Sequence, residues 1–227
     1  MRTLLISFFI IYILFFAFTN TVIAQVCGPN CPVCSGTIDG KLTPAKTLSL
    51  QGMYIPTGEE EYGMLSLKYG ASEWLDLGLS YTFKAQKVIW NARVQLIKQN
   101  EDNWRPGFIL GTGSIRAGRS DQSIYANVLK TKEFSENFAM SFSGGIASLA
   151  SDLDKIYGIG NVSLIFKEKI ATFVNFDGIN FHEGATWTVN DWFTAGFILV
   201  ESKDPAIFVN ITRSIFNNKD LDSSNNL

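Results

Sequence analysis

Between Leu75 and Lys98 the chain alternates, residue by residue, between two kinds of side chain. Leu75, Leu77, Leu79, Tyr81 and Phe83 are separated by Asp76, Gly78, Ser80 and Thr82. After Lys84–Lys87, the run Val88–Lys98 sets Trp90, Ala92, Val94 and Leu96 against Asn91, Arg93 and Gln95. A period of two is the signature of antiparallel strands with one apolar and one polar face. A soluble sheet shares that signature. What selects between the two is extent, because the pattern recurs almost to the end of the chain behind a secretory leader. Large apolar residues on one face and small or polar ones on the other describe a membrane barrel, apolar toward lipid and polar toward its interior.

Composition agrees. Of 227 residues 46% are hydrophobic, yet beyond the leader no apolar run reaches the roughly 20 residues of a membrane-spanning helix. Alternating strands produce that combination. The net charge is -2 with no basic patch, which argues against a nucleic-acid partner.

Residues 1–24 read as a signal peptide: Arg2, the apolar run Leu4–Phe18, and Val22-Ile23-Ala24 before the expected cleavage. Residues 25–45 form an N-terminal periplasmic segment, without periodicity, that is long enough to enter a barrel as a plug. It holds all three cysteines, Cys27, Cys31 and Cys34. In an oxidising envelope the simplest expectation is a local disulfide, Cys31–Cys34, with Cys27 left over. A copper or zinc thiolate site is the alternative, and the odd thiol could instead join a partner protein. No other cofactor is expected.

From Thr47 on, twelve runs follow: Thr47–Ile55, Met64–Tyr69, Leu75–Phe83, Val88–Lys98, Gly107–Ile115, Ser123–Lys130, Phe138–Ala147, Tyr157–Phe166, Ile170–Asp177, Glu183–Val189, Trp192–Glu201 and Ala206–Phe216. The expected fold is therefore all-β: an antiparallel up-and-down transmembrane barrel over residues 46–216, with a polar tail at 217–227. An even count is the rule for bacterial single-chain barrels, and the weaker runs leave ten or fourteen strands open. Ser72-Glu73-Trp74-Leu75, Ser135-Glu136-Asn137-Phe138 and Asn190-Asp191-Trp192-Phe193 each open an odd-numbered strand. With Trp104 they would place aromatics on one rim, where an interfacial girdle belongs.

The leader, the twelve runs and these turn motifs resemble small outer-membrane β-barrels of diderm bacteria. The stretch Arg105-Pro106-Gly107-Phe108-Ile109-Leu110-Gly111-Thr112-Gly113 resembles strands in barrels associated with exopolysaccharide or envelope assembly. The resemblance implies fold and an outer-membrane location, and no functional residue. As partners it implies the lipid bilayer, the outer-membrane assembly machinery and an envelope protein.

Two groups of residues invite a functional reading. Lys68, Asp76 and Arg93 fall on polar faces of neighbouring strands. A turn centred near Ser72 would set Lys68 opposite Asp76, and the Lys84–Lys87 loop would set Arg93 opposite Gly78, giving a charge cluster in the lumen. The lone histidine, His182, has Asp177, Asn180 and Glu183 near it in sequence and Ser202 as the available serine, the elements of a Ser–His lipid hydrolase, placed on a rim loop. The expected function is a non-enzymatic pore or envelope scaffold. The alternatives are a lipid-modifying outer-membrane enzyme or a secreted soluble β-sandwich that binds a ligand.

Overall fold

The computed structural model describes residues 42–58, 61–100, 103–115, 120–167 and 169–215; the leader, the three cysteines and the polar tail lie outside them. Twelve strands form one closed antiparallel barrel. They are β1 (Thr47–Tyr54), β2 (Gly63–Ser72), β3 (Leu75–Thr82), β4 (Lys87–Ile97), β5 (Gly107–Gly113), β6 (Ser123–Ser135), β7 (Phe138–Leu149), β8 (Asp152–Phe166), β9 (Ile170–Phe176), β10 (Phe181–Asn190), β11 (Phe193–Val200) and β12 (Asp204–Ser214). Each strand pairs with its sequence neighbours, and β1 closes the ring on β12 from Thr47↔Ser214 to Tyr54↔Ile207. Among the described residues there is no helix.

The alternation now has a direction. Leu65, Leu67, Leu77, Leu79, Trp90, Leu110, Val128, Phe142, Ile146, Val162, Val174, Trp187, Phe197, Val209 and Ile211 all face outward and are exposed. Their strand neighbours Ser66, Ser80, Asn91, Asn127, Ser141, Ser163 and Asn175 face inward and are buried. Soluble monomers rarely expose apolar patches of more than a few hundred square ångströms; here the apolar surface encircles the molecule. A β-sandwich would hide this face between its sheets. The ring is single and its apolar face is on the outside, so the sandwich reading falls and the barrel is a transmembrane one.

Both ends of the barrel sequence lie at one rim, called here the terminal rim. Trp74, Trp104, Phe138 and Trp192 precede or open β3, β5, β7 and β11 at that same rim. Trp74 and Trp104 are exposed there, as a girdle at a membrane interface requires. The opposite, distal rim carries Tyr54, Tyr62, Phe83 and Phe181, also exposed.

The interior departs from the wide lumen that twelve strands suggest. Two apolar clusters fill much of it. One joins Met53, Ile55, Met64, Phe173, Ile198, Val200, Ala206 and Phe208; the other joins Ile109, Ile115, Tyr125, Leu129, Ala147 and Ile159, with Leu42 packed against it. The aromatic rings fit because each lies over a glycine on the adjacent strand. Tyr125 pairs with Gly111, Phe173 with Gly184 and Phe208 with Gly196. A Cβ at Gly184 would sit 2.5 Å from Phe173 Cζ, and one at Gly196 or Gly111 would collide with the Phe208 or Tyr125 ring. Glycine is required there for space.

Candidate functional site

The functional surface of such a barrel is its interior, and three polar assemblies occupy it. At mid-height, β1–β4 and β6–β10 contribute Gln51, Ser66, Ser80, Asn91, Asn127, Ser141, Asn161, Ser163, Asn175 and Thr186, all buried. Some bond across strands: Ser66 Oγ lies 2.8 Å from Ser80 Oγ, and Asn91 Nδ2 donates to Ser80 Oγ at 2.8 Å. The residues are small and uncharged, and they come from the polar face of each alternating strand.

Nearer the terminal rim lies the charge cluster. Arg93 Nε donates to Asp76 Oδ1 at 3.0 Å and Oδ2 at 3.1 Å, and Arg93 Nη2 to Oδ2 at 2.5 Å. Asp76 and Arg93 are 2% and 3% exposed, so the pair is withdrawn from water. Lys68 adds positive potential at Asp76. The register differs from the sequence expectation: Arg93, not Lys68, stands directly opposite Asp76, and Lys68 pairs with Gly78. The physical reason is a β2–β3 turn that closes at Ser72↔Leu75 beside a one-residue irregularity between Gly70 and Ser72, and a β3–β4 turn that closes at Thr82↔Lys87. The stem of Lys68, rather than that of Arg93, lies over Gly78, whose added Cβ would stand 3.0 Å from Lys68 Cγ.

Asp76 has a further partner that sequence reasoning missed. Its Oδ2 accepts the Thr43 backbone N–H at 2.8 Å. Residues 42–45 run inside the terminal mouth: Thr43 is buried, Leu42 packs on the second apolar cluster, and the Pro44 carbonyl passes where a Cβ on Gly70 would be. Lys46, at φ 61, turns the chain from this strap into β1. Nothing in the sequence around Thr43 signals a partner for Asp76.

His182 is the main correction to the side-chain reading. It is the second residue of β10, faces inward and is fully buried, not a rim-loop residue. Its Nε2 lies 2.9 Å from Asp177 Oδ2, and its Nδ1 accepts the Glu201 backbone N–H at 3.0 Å. A ring that accepts at Nδ1 carries its proton at Nε2 and donates it to Asp177. Asp177 sits in the turn after β9. Burial opposes its charge, but the His182 bond and the Asn180 and Ile179 amides outweigh burial and hold its carboxyl below the usual carboxylate range. Ser202 Oγ goes elsewhere, to Glu183 Oε1 at 2.8 Å and the Phe181 carbonyl at 3.2 Å. The geometry brings His182 and Asp177 together and leaves Ser202 out, so no nucleophile–base pair is formed. The strand starts early because Asp177 Oδ1 accepts both the Ile179 and Asn180 amides around Gly178 at φ 97. Asp-Gly, a strong turn signal, could have revealed this.

At the distal rim Glu61 is 1% exposed. Its Oε1 accepts from Lys84 N at 2.6 Å, Tyr62 N at 3.2 Å and Gly63 N at 3.4 Å, and its Oε2 from Ala85 N at 3.0 Å. One carboxylate thus ties the β1–β2 loop to the β3–β4 turn. Bonds to a charged acceptor are the stronger kind. Glu61→Ala is expected to cost about 2 kcal/mol locally, read as faster proteolysis of these two turns in protein that still forms the barrel; unchanged cleavage would show that the tie is dispensable.

No protein-family description matches the chain, and no curated protein does. Among solved structures, the KdgM porin superposes with a TM-score of 0.51 at 10% identity, covering 75% of this chain and 99% of the porin. The fold is that of a porin-like outer-membrane barrel. A COG4313 outer membrane channel from Pseudomonas putida F1 also aligns, at 12% identity and a TM-score of 0.46, over 82% of this chain and 99% of the channel. At these identities the likeness concerns the fold alone.

Proposed function

We propose that the protein is a non-enzymatic barrel of the bacterial outer membrane, a narrow pore for small polar solutes whose interior is occluded in the conformation described. The terminal rim faces the periplasm and the distal rim the exterior. It uses no cofactor, and its partners are the bilayer and the outer-membrane assembly machinery. The observation that carries this reading is the buried layer of serine, asparagine, glutamine and threonine side chains drawn from β1–β4 and β6–β10. A barrel that served only as a membrane anchor has no need of polar groups inside it, since burying them uncompensated is costly. A water path has that need. The N-terminal strap at 42–45 and the Asp76–Arg93 pair narrow the path from the periplasmic side; the rest of the expected plug segment lies outside the described residues.

A second reading, an envelope scaffold, draws on the two apolar clusters that fill much of the interior. Planar-bilayer recording separates them. For the pore, full-length protein is expected to give small, flickering conductances that grow severalfold when residues 25–45 are deleted. Silence from both forms, each shown to be folded by a gel shift on boiling, rejects the pore and leaves the scaffold. The pairing of both His182 nitrogens supports the absence of hydrolase activity, and His182→Ala is expected to leave phospholipid and lipid A profiles unchanged.

A further inference from the structure

His182 is the one histidine of the chain, and each of its ring nitrogens holds a turn at the distal mouth. Nε2 bonds the Asp177 carboxylate in the β9–β10 turn at 2.9 Å, and Nδ1 accepts the Glu201 backbone N–H in the β11–β12 turn at 3.0 Å. One fully buried ring thus joins two neighbouring turns. Only the neutral imidazole can do so, because the cation carries a proton on both nitrogens and has no acceptor left.

The two turns differ in what else holds them. The β9–β10 turn is closed from within: Asp177 Oδ1 accepts the Ile179 and Asn180 amides at 3.0 and 2.9 Å, and the Asp177 amide donates to the Asn180 carbonyl at 3.1 Å. The β11–β12 turn is closed by the Lys203 amide on the Val200 carbonyl at 3.1 Å, with Glu201 and Ser202 both left-handed at φ 54 and 55. A two-residue hairpin turn of this kind favours asparagine and glycine. Glutamate and serine adopt it against their steric preference, so contacts from outside the turn must hold it. Ser202 Oγ donates to Glu183 Oε1 at 2.8 Å and to the Phe181 carbonyl at 3.2 Å, and Thr57 Oγ1 donates to Asp204 Oδ1 at 2.7 Å. Those bonds are exposed, where water competes for them. The bond to His182 is made by a ring that water does not reach.

Histidine is the side chain whose charge changes between about pH 5 and 8. A proton arriving at His182 has one place to go, Nδ1, since Nε2 already carries one toward Asp177. The Nε2 bond then becomes charge-assisted and stronger, while Nδ1–H faces the Glu201 N–H and the bond there is lost. Asp177 remains an anion to receive the charge: burial opposes this, but the bonds from His182 and the turn amides hold its carboxyl low. The closed turn therefore goes with one proton fewer than the released turn, so it prevails at high pH and is lost as pH falls. Among the described residues, the other charged groups on elements packed around the ring are Glu183 on β10 and Glu201, Lys203 and Asp204 at the β11–β12 turn. Lys203 Nζ lies 3.4 Å from Glu201 Oε2 and 3.9 Å from Asp204 Oδ2. β9 sets the uncharged Asn175 opposite His182, and β8 sets Tyr157 against Gly178.

We propose that His182 is an acid-released latch on the distal mouth: protonation of its Nδ1 frees the β11–β12 turn and leaves the β9–β10 turn bound. Val200 and Ala206, at the strand ends beside the freed turn, belong to the first apolar cluster, so release loosens the filling of the interior from the distal side. The inference rests on the barrel itself and not on solute conduction through its length.

The test uses full-length protein in detergent micelles, purified without a histidine tag, so that isotope-labelled histidine gives one imidazole signal by NMR. A nitroxide on Lys203→Cys, in protein whose Cys27, Cys31 and Cys34 are replaced by serine, reports the β11–β12 turn. A nitroxide on Asn137→Cys, in the β6–β7 turn, is the control. At about pH 7.5 the ring is expected to be neutral with its proton on Nε2, and the Lys203→Cys probe immobilised. By about pH 5 the ring is expected to be doubly protonated and the mobility of that probe severalfold higher. The two changes should share one midpoint, reverse together, and leave the control probe and the gel shift on boiling unchanged. His182→Gln supplies an acceptor and a donor at every pH and is expected to keep the Lys203→Cys probe immobile in acid. The latch is overturned by a ring that stays neutral down to about pH 4.5, by a ring that takes up its proton while the turn probe stays still, or by a probe that loosens equally in His182→Gln. The first two outcomes are read on the native histidine and do not depend on how the variant folds.

Discussion

Asp76→Ala is expected to destabilise the barrel by about 3–5 kcal/mol, because it removes the buried carboxylate that three hydrogen bonds join to the Arg93 guanidinium. The effect comes from an asymmetry. Moving both ions out of water is expensive, and their mutual attraction only offsets that expense. Removing one partner keeps the expense and discards the offset. Asp76 also holds the strap through Thr43, so the same substitution releases residues 42–45 from the mouth. Replacing both partners, Asp76→Leu with Arg93→Met, is expected to recover most of the stability, as double replacements of buried pairs often do. Urea titration of the three proteins in detergent, followed by the gel shift on boiling, reads these effects. A single variant as stable as the native protein would show that water reaches Arg93 and that the pair is not withdrawn from solvent.

The milder Asp76→Asn separates charge from shape. It keeps an acceptor for Thr43 and removes the negative charge between Lys68 and Arg93. If the barrel conducts, this leaves two positive groups on the path and is expected to shift ion selectivity toward anions, as rings of fixed charge do in pores. Bilayer reversal potentials in a salt gradient measure it. An unchanged reversal potential in a conducting variant would place the ion path away from the cluster.

How far the sequence reached depended on what a period of two encodes. It states which face each residue takes, and the strand count and the inward placement of Lys68, Asp76 and Arg93 follow from that alone. Register is another matter, because it depends on turns. The β2–β3 turn at Glu73–Trp74, together with the one-residue irregularity at Gly70–Ser72, and the turn before Lys87 each left the pairing two residues from that expected. A shift of two preserves the face, so the three charged residues still share the interior while their partners are exchanged; a shift of one would have sent them to lipid. His182 was misplaced for a related reason, since the compact Asp177–Asn180 turn lengthened β10 by two residues at its start. The Thr43 strap and the Glu61 tie were not legible. Each is a polar contact between segments far apart in the chain, and alternation carries no information about those. The filled interior was hidden as well, because a pattern of inward residues does not tell whether a ring crosses the lumen or lies against the wall.

The rings that fill the interior carry the second large effect. Phe208 is 2% exposed and anchors the first apolar cluster, so Phe208→Ala is expected to cost about 3–5 kcal/mol through lost burial and the cavity left behind. Its directly opposed partner Gly196 leaves no space for a methyl group, because an added Cβ would collide with Phe208 Cζ. Gly196→Ala alone is therefore expected to cost about 1–3 kcal/mol by overpacking. The two costs share a cause in part, because the ring lies on the glycine while the Ala185 carbonyl oxygen, 2.6 Å from the added Cβ, is there with or without the ring; they should add only incompletely. Once the ring is gone a methyl at position 196 no longer meets it, but it still meets the Ala185 carbonyl oxygen, so part of its cost remains. In the Phe208→Ala background, Gly196→Ala is expected to cost less than it does alone, an interaction energy of about 0.5–2 kcal/mol in a double-mutant cycle. The cycle also reports on conduction. Phe208→Ala removes the largest fully buried side chain among the described residues, so a barrel that conducts should conduct more with Phe208→Ala and less again when Gly196→Ala is combined with it. Strict additivity in the urea titrations would mean that ring and glycine do not touch in the membrane, and would reject the packing by which this interior is filled.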